Sequence, residues 1–170
     1  MRLPMPIVLA AALGPAFPAS AQDSRELGAH EHGHVTLQVA ISGDAVEMVL
    51  EAPGADIVGF EHAAGTEEQT AAVAAAREAL GDPAAILAIP VAAGCTGGAA
   101  EVELHQEGEH NAFEVTHRLA CTDTAAITAI ETRLFDLYPS IEQIDVEYVT
   151  PAGQGAGELE PGATLALPAG

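Results

Sequence analysis

The chain contains no lysine. Its basic residues are five arginines, set against 25 acids, for a formal net charge of −20 over 170 residues. Arg2 lies in the first 21 residues, and Arg25, Arg77, Arg118 and Arg133 are spread over the rest. All the acids lie after position 21. A surface this acidic repels phosphate backbones and anionic lipid, which excludes nucleic-acid and membrane-surface partners. It favours cations, and it is equally the composition of a very soluble or salt-adapted surface.

Other absences narrow the chemistry. Without lysine there is no Schiff-base nucleophile. The sequence has no GxSxG and no phosphate-cradling glycine loop. The Gly-rich stretch GQGAG at 153–157 opens no helix and reads as a loop. No Met-rich stretch suggests a Cu(I) carrier. The expectation is a protein that binds, not an enzyme.

Long apolar runs are also missing, with one exception. MRLPMPIVLAAALGPAFPASA carries one early charge, an apolar run, and small residues ending Ala19-Ser20-Ala21. Pro15 and Pro18 break the run, which is too short to span a bilayer. This predicts a signal peptide over residues 1–21, cleaved after Ala21, with no membrane insertion afterwards. Residues 22–170 are then one domain, long enough to bury a core. Two cysteines in an exported chain, Cys95 and Cys121, predict a disulfide.

The apolar pattern organises that domain. HVTLQVAIS (34–42) and AVEMVLEA (45–52) alternate about Gly43-Asp44 and predict a hairpin. Thr66 and Gln69 form a capping box for the helix ending at Gly81. Asp82-Pro83 opens a second helical turn. Residues 99–119 predict another hairpin, turning at Gly108-Glu109 and pairing Leu104 with Phe113 and Val102 with Val115. A bulge at Gly97-Gly98 would let Cys95 and Cys121 staple its base. Asp123 would cap a helix carrying Ile127, Ile130, Leu134 and Leu137. IDVEYV (144–149) is the last clear strand, and the tail from about 150 is loop-rich, with one short edge strand at 163–167. The order β-β-α-β-β-α-β predicts an α+β fold: an antiparallel sheet with two helices on one face, as a ferredoxin-like core plus an extra N-terminal strand.

The seven histidines carry the functional signal. His30, His32 and His34 sit at alternate positions in GAHEHGHV, so an extended chain would present them on one side. Imidazole suits Zn²⁺, and also Cu²⁺ and Ni²⁺. A polar lead-in to the strand is the alternative. His105, Glu107 and His110 fall together at the second hairpin's tip, with Glu103 and Glu114 behind them. They form either a weak carboxylate–imidazole site or a solvated tip. His62, alone in FEHAAG, reads as a loop histidine. His117 shares the apolar face of Phe113 and Val115 and reads as buried and hydrogen-bonded.

Several stretches together resemble one family. They are GAHEHGHVTLQVAISG, LEAPGADIVGFEHAAGTEEQ, AAGC with the later Cys121, and LFDLYPSIEQIDVEYVTPAGQGAGEL. The chain resembles the periplasmic zinc-uptake family typified by ZrgA, over nearly all of the mature chain. The resemblance implies periplasmic zinc binding in support of an ABC-type importer and its substrate-binding protein. It implies that His30, His32 and His62 ligate, with His34, a carboxylate or water as fourth ligand. His105, His110 and His117 remain further metal candidates. The long His- and Asp-rich insert common in the family's central hairpin is reduced here to HQEGEH. Periplasmic copper sequestration and a metal-free docking module of the envelope are the alternative readings.

Overall fold

The computed structural model of the chain describes residues 32–169. The expected signal peptide, His30 and the side chain of Glu107 lie outside what is described. Strands β1 (His34–Ser42) and β2 (Ala45–Pro53) lead into helices α1 (Gly54–Val58), α2 (Glu67–Leu80) and α3 (Pro83–Ile86). Strands β3 (Thr96–Gly97), β4 (Glu101–Glu107) and β5 (His110–Ala120) follow. The remainder is β6 (Ala129–Ile130), α4 (Leu134–Leu137), β7 (Gln143–Thr150), β8 (Gly153–Leu159) and β9 (Leu165–Ala166). The architecture is mixed α+β, with strands predominating.

Two tight turns set the sheet. Ser42 pairs with Ala45, so Gly43-Asp44 is a two-residue loop with Gly43 at φ 62°. Glu107 pairs with His110 about Gly108-Glu109, with Gly108 also at φ 62°. Glycine first and no positive φ at the next residue suit a type II′ turn. The predicted pairs Leu104–Phe113 and Val102–Val115 both form.

The base of this second hairpin shifts by one residue. Thr96 pairs with Ala120, whereas Glu101 pairs with Thr116, so residues between them absorb the offset. This brings Cys95 level with Cys121, and the two form a disulfide. Closing a loop across 26 residues contributes roughly 3 kcal/mol by chain entropy.

The seven-stranded sheet has the order β3-β5-β2-β1-β7-β8, with β4 also paired to β5. On one face Val35, Leu37, Val39, Ile41, Met48, Leu50, Phe113 and Val115 are buried. They join Leu80, Ile86, Leu87, Ile130 and Leu134 in one core. The Thr66–Gln69 capping box starts α2 as predicted, and the Asp82 side chain accepts from Ala84 N–H at the start of α3.

Four expectations differ from the structure. First, the sheet is not wholly antiparallel. β7 runs parallel to β1, pairing Val35 with Ile144 and Leu37 with Val146. Second, β1 therefore stands between β2 and β7, where a ferredoxin-like core would place β2 and β7 side by side. The two-residue turn binds β1 to one edge of β2, and β5 occupies the other.

Third, residues 123–137 form no long helix. A 3-10 turn (Thr124–Ala126), the short strand β6 and the four-residue α4 replace it. Ile127, Ile130 and Leu134 are buried as their spacing suggests, while Leu137 is exposed. Ala129 and Ile130 instead pair with β9, and Glu131 C=O accepts from Ala88 N–H at 2.7 Å. These tertiary partners outcompete a helix that β-branched Thr128 and Thr132 already weaken. Fourth, GQGAG is strand, not loop: β8 pairs with β7 from Ile144–Leu159 to Thr150–Gly153. Its glycines leave room for neighbours. A Cβ on Gly157 would meet the Leu165 side chain at 2.8 Å.

His117 is 1 % exposed, and its Nε2–H donates to the Leu80 carbonyl at 2.8 Å. It ties the last turn of α2 to β5. His117→Ala should destabilise the fold by about 2–4 kcal/mol, through a cavity and an orphaned carbonyl. Urea unfolding measures this, and zinc stoichiometry should not change.

Candidate metal centre

β2 lies between β1 and β5 but leaves the sheet after Pro53 to become α1. Strands on either side of a third are about 10 Å apart. Where β2 departs, the ends of β1 and β5 therefore face each other across a gap that side chains alone span poorly. His32 precedes β1 at this end and His110 opens β5. The loop after α1 returns Glu61 between them. His32 Nε2–H donates to Glu61 Oε1 at 3.0 Å, and His110 Nδ1–H donates to Oε2 at 2.6 Å. One carboxylate thus joins two imidazoles that are 78 residues apart in the sequence.

Local packing fixes each member. Gly54 starts α1 against β5, where a Cβ would overlap the Asn111 amide. Gly59, at φ 81°, ends α1 in the left-handed conformation that favours glycine. Asn111, next to His110 and 2 % exposed, donates its Nδ2–H to the His62 carbonyl at 2.9 Å. That bond ties the Glu61 loop to β5. Asp56 of α1 accepts the Gly33 N–H on both carboxylate oxygens, at 2.9 and 3.0 Å, and so anchors the residue after His32. Gly33 sits at φ 84°, and its carbonyl accepts from Glu142 and Gln143 N–H.

The site is rigid at its centre and open at its rim. The Glu61 side chain is 17 % exposed, against 68 % for His32 and 65 % for His110. Burial, the largest single influence, opposes ionisation of Glu61. The hydrogen bond and charge of His110, with those of His32, together outweigh it and hold the carboxyl below its ordinary value. Asp56 is the opposite case. Its burial outweighs the Gly33 hydrogen bond and raises its carboxyl.

A profile of the family described as ZrgA family zinc uptake protein matches residues 29–166. The chain belongs to this family. A search of curated proteins finds no significant match. Family membership gives the chain a place in zinc uptake. Among the described residues, no helix is long and apolar enough to cross a membrane.

The six described histidines separate in space. His32 and His110 come together on Glu61. His62 does not join them. Its ring stacks on Phe60 at 5.2 Å, and its Nδ1–H donates to the Ala63 carbonyl at 2.9 Å. His34 is half-buried at the start of β1, and the positive φ of Gly33 breaks the alternation expected to align it with His32. His105 lies farther along β4 beside Glu103 and Glu114. His117 is the buried histidine described above, and His30 lies outside the described residues. Sequence reasoning misses Glu61, although the segment FEHAAG draws notice to the neighbouring His62. No spacing rule chooses between adjacent residues of an irregular loop.

Two outcomes follow from this geometry. Gly54→Ala should cost about 1–3 kcal/mol by overpacking against Asn111 and should loosen the Glu61–His110 bond. Thermal unfolding, with NMR of the His110 ring, checks both effects. The depressed Glu61 carboxyl contributes stability above its unfolded-state value, and this is lost as pH falls through its lower folded-state value. The difference in melting temperature between the metal-free wild type and Glu61→Gln should therefore shrink on acidification below about pH 4.5.

Proposed function

We propose that the protein binds Zn²⁺ outside the cytoplasm at Glu61, His32 and His110, and supplies it to a zinc importer of the ABC type or to that importer's substrate-binding protein. The observation that carries this reading is the single carboxylate held between two imidazole nitrogens. Two nitrogens and one oxygen suit zinc, whose remaining position water would take. The zinc is cargo, and no reaction is assigned to the protein.

The form of the site supports handover. The mostly buried carboxylate is held in place, and the two rings, bonded to different oxygens of it, swing in to close on an ion. Two exposed rings leave room for an acceptor's ligands to enter before zinc leaves. A closed four-ligand site would hold zinc structurally and release it slowly. The disulfide and the predicted signal peptide both support an oxidising, exported location.

Calorimetric titration of the mature protein with Zn²⁺ tests the reading. Glu61→Gln, and separately His32→Ala with His110→Ala, should weaken the tightest step by about tenfold or more. His62→Ala should change it by less than about threefold, because that ring is engaged within its own loop. Unchanged tight binding in the Glu61 and double-histidine variants would sink the assignment.

A further inference from the structure

The outward face of the β4–β5 hairpin carries a second group of donors. Glu103 and Glu114 are direct partners in the antiparallel register. Like charges directly opposite one another destabilise a strand pair. No arginine pairs with them among the described residues. Arg118, on the same face, is engaged by Glu47 at 2.8 Å and Glu101 at 3.1 Å. Between the two glutamates stands His105, whose Nε2 lies 3.3 Å from Glu103 and 3.8 Å from Glu114. One donor atom from each of these three residues lies within 4.8 Å of the others. Among the described residues, this is where three such atoms already stand within mutual reach.

We propose that Glu103, His105 and Glu114 form a second, weaker site for a divalent cation of the zinc class. An imidazole with two carboxylates suits Zn²⁺ and its transition-metal neighbours, whereas Ca²⁺ and Mg²⁺ prefer all-oxygen shells. A bound ion would offset the repulsion between the paired glutamates. The site is shallow, with His105 about half exposed, so water competes for every position. It shares the hairpin with the first site: His105 pairs with Ala112, two residues after His110. An ion captured on this face is held beside the Glu61 centre. The inference rests on the reading of the protein as a zinc binder but uses none of the same ligands.

The test is a Zn²⁺ titration of the mature protein by calorimetry, with excess Mg²⁺ present to occupy non-specific acidic surface. Wild type should show two steps, the second about tenfold or more weaker. His105→Ala should remove the weak step and leave the tight one. This substitution leaves the formal charge unchanged, so general electrostatic attraction cannot explain the loss. Glu61→Gln should weaken the tight step and leave the weak one, which separates the two assignments. A His105→Ala isotherm that matches wild type would overturn the second site without touching the first. A weak step that persists in His105→Ala would overturn it equally, as adventitious binding to surface carboxylates.

Discussion

The departure of β2 from the sheet at Pro53 is the constraint on which the rest of the candidate centre depends. While β2 runs between β1 and β5, its backbone satisfies both neighbours and holds them apart. Once it turns into α1, the two flanking chain ends are left separated by a missing strand. Gly54 allows the turn because a Cβ there would overlap Asn111. The loop after α1 then fills the gap with a carboxylate rather than with backbone. Asp56 on Gly33 and Asn111 on the His62 carbonyl close the two sides.

This arrangement divides rigidity from access. The parts that set position are buried: Asp56, Asn111 and most of Glu61. The parts that exchange with solvent are the imidazole rings. A metal carrier needs both properties, because donors must be close enough to bind and exposed enough to release. The strongly acidic surface suits the same task, since it raises the local concentration of cations and repels anions.

Much of the fold was legible because its signals are local. The Gly43-Asp44 and Gly108-Glu109 turns, the Thr66–Gln69 capping box and the alternation in β1, β2, β4 and β5 each depend on neighbours a few residues away. The cysteine offset was legible too, since register arithmetic placed Cys95 one residue out of step and required a bulge. The stretch 123–137 was not. Its apolar spacing is equally satisfied by a chain that dips into the core at Ile127, Ile130 and Leu134, and β9 supplies the pairing that decides. GQGAG was misread because glycine normally weakens a strand, yet here small residues let Leu165 and Tyr148 pack closely over β8.

The sequence by itself determined the strand patterns, the two tight hairpins, the disulfide and the presence of clustered histidines, all of which arise from periodicity or short-range geometry. Only the tertiary structure decided which histidines meet. His32 and His110 are joined through Glu61 because β2 separates β1 from β5 and then leaves. His62 is kept apart by a stack on Phe60 and a bond to its own loop. The meeting of His32 and His110 depends on contacts between chain segments distant in sequence, which no local pattern specifies.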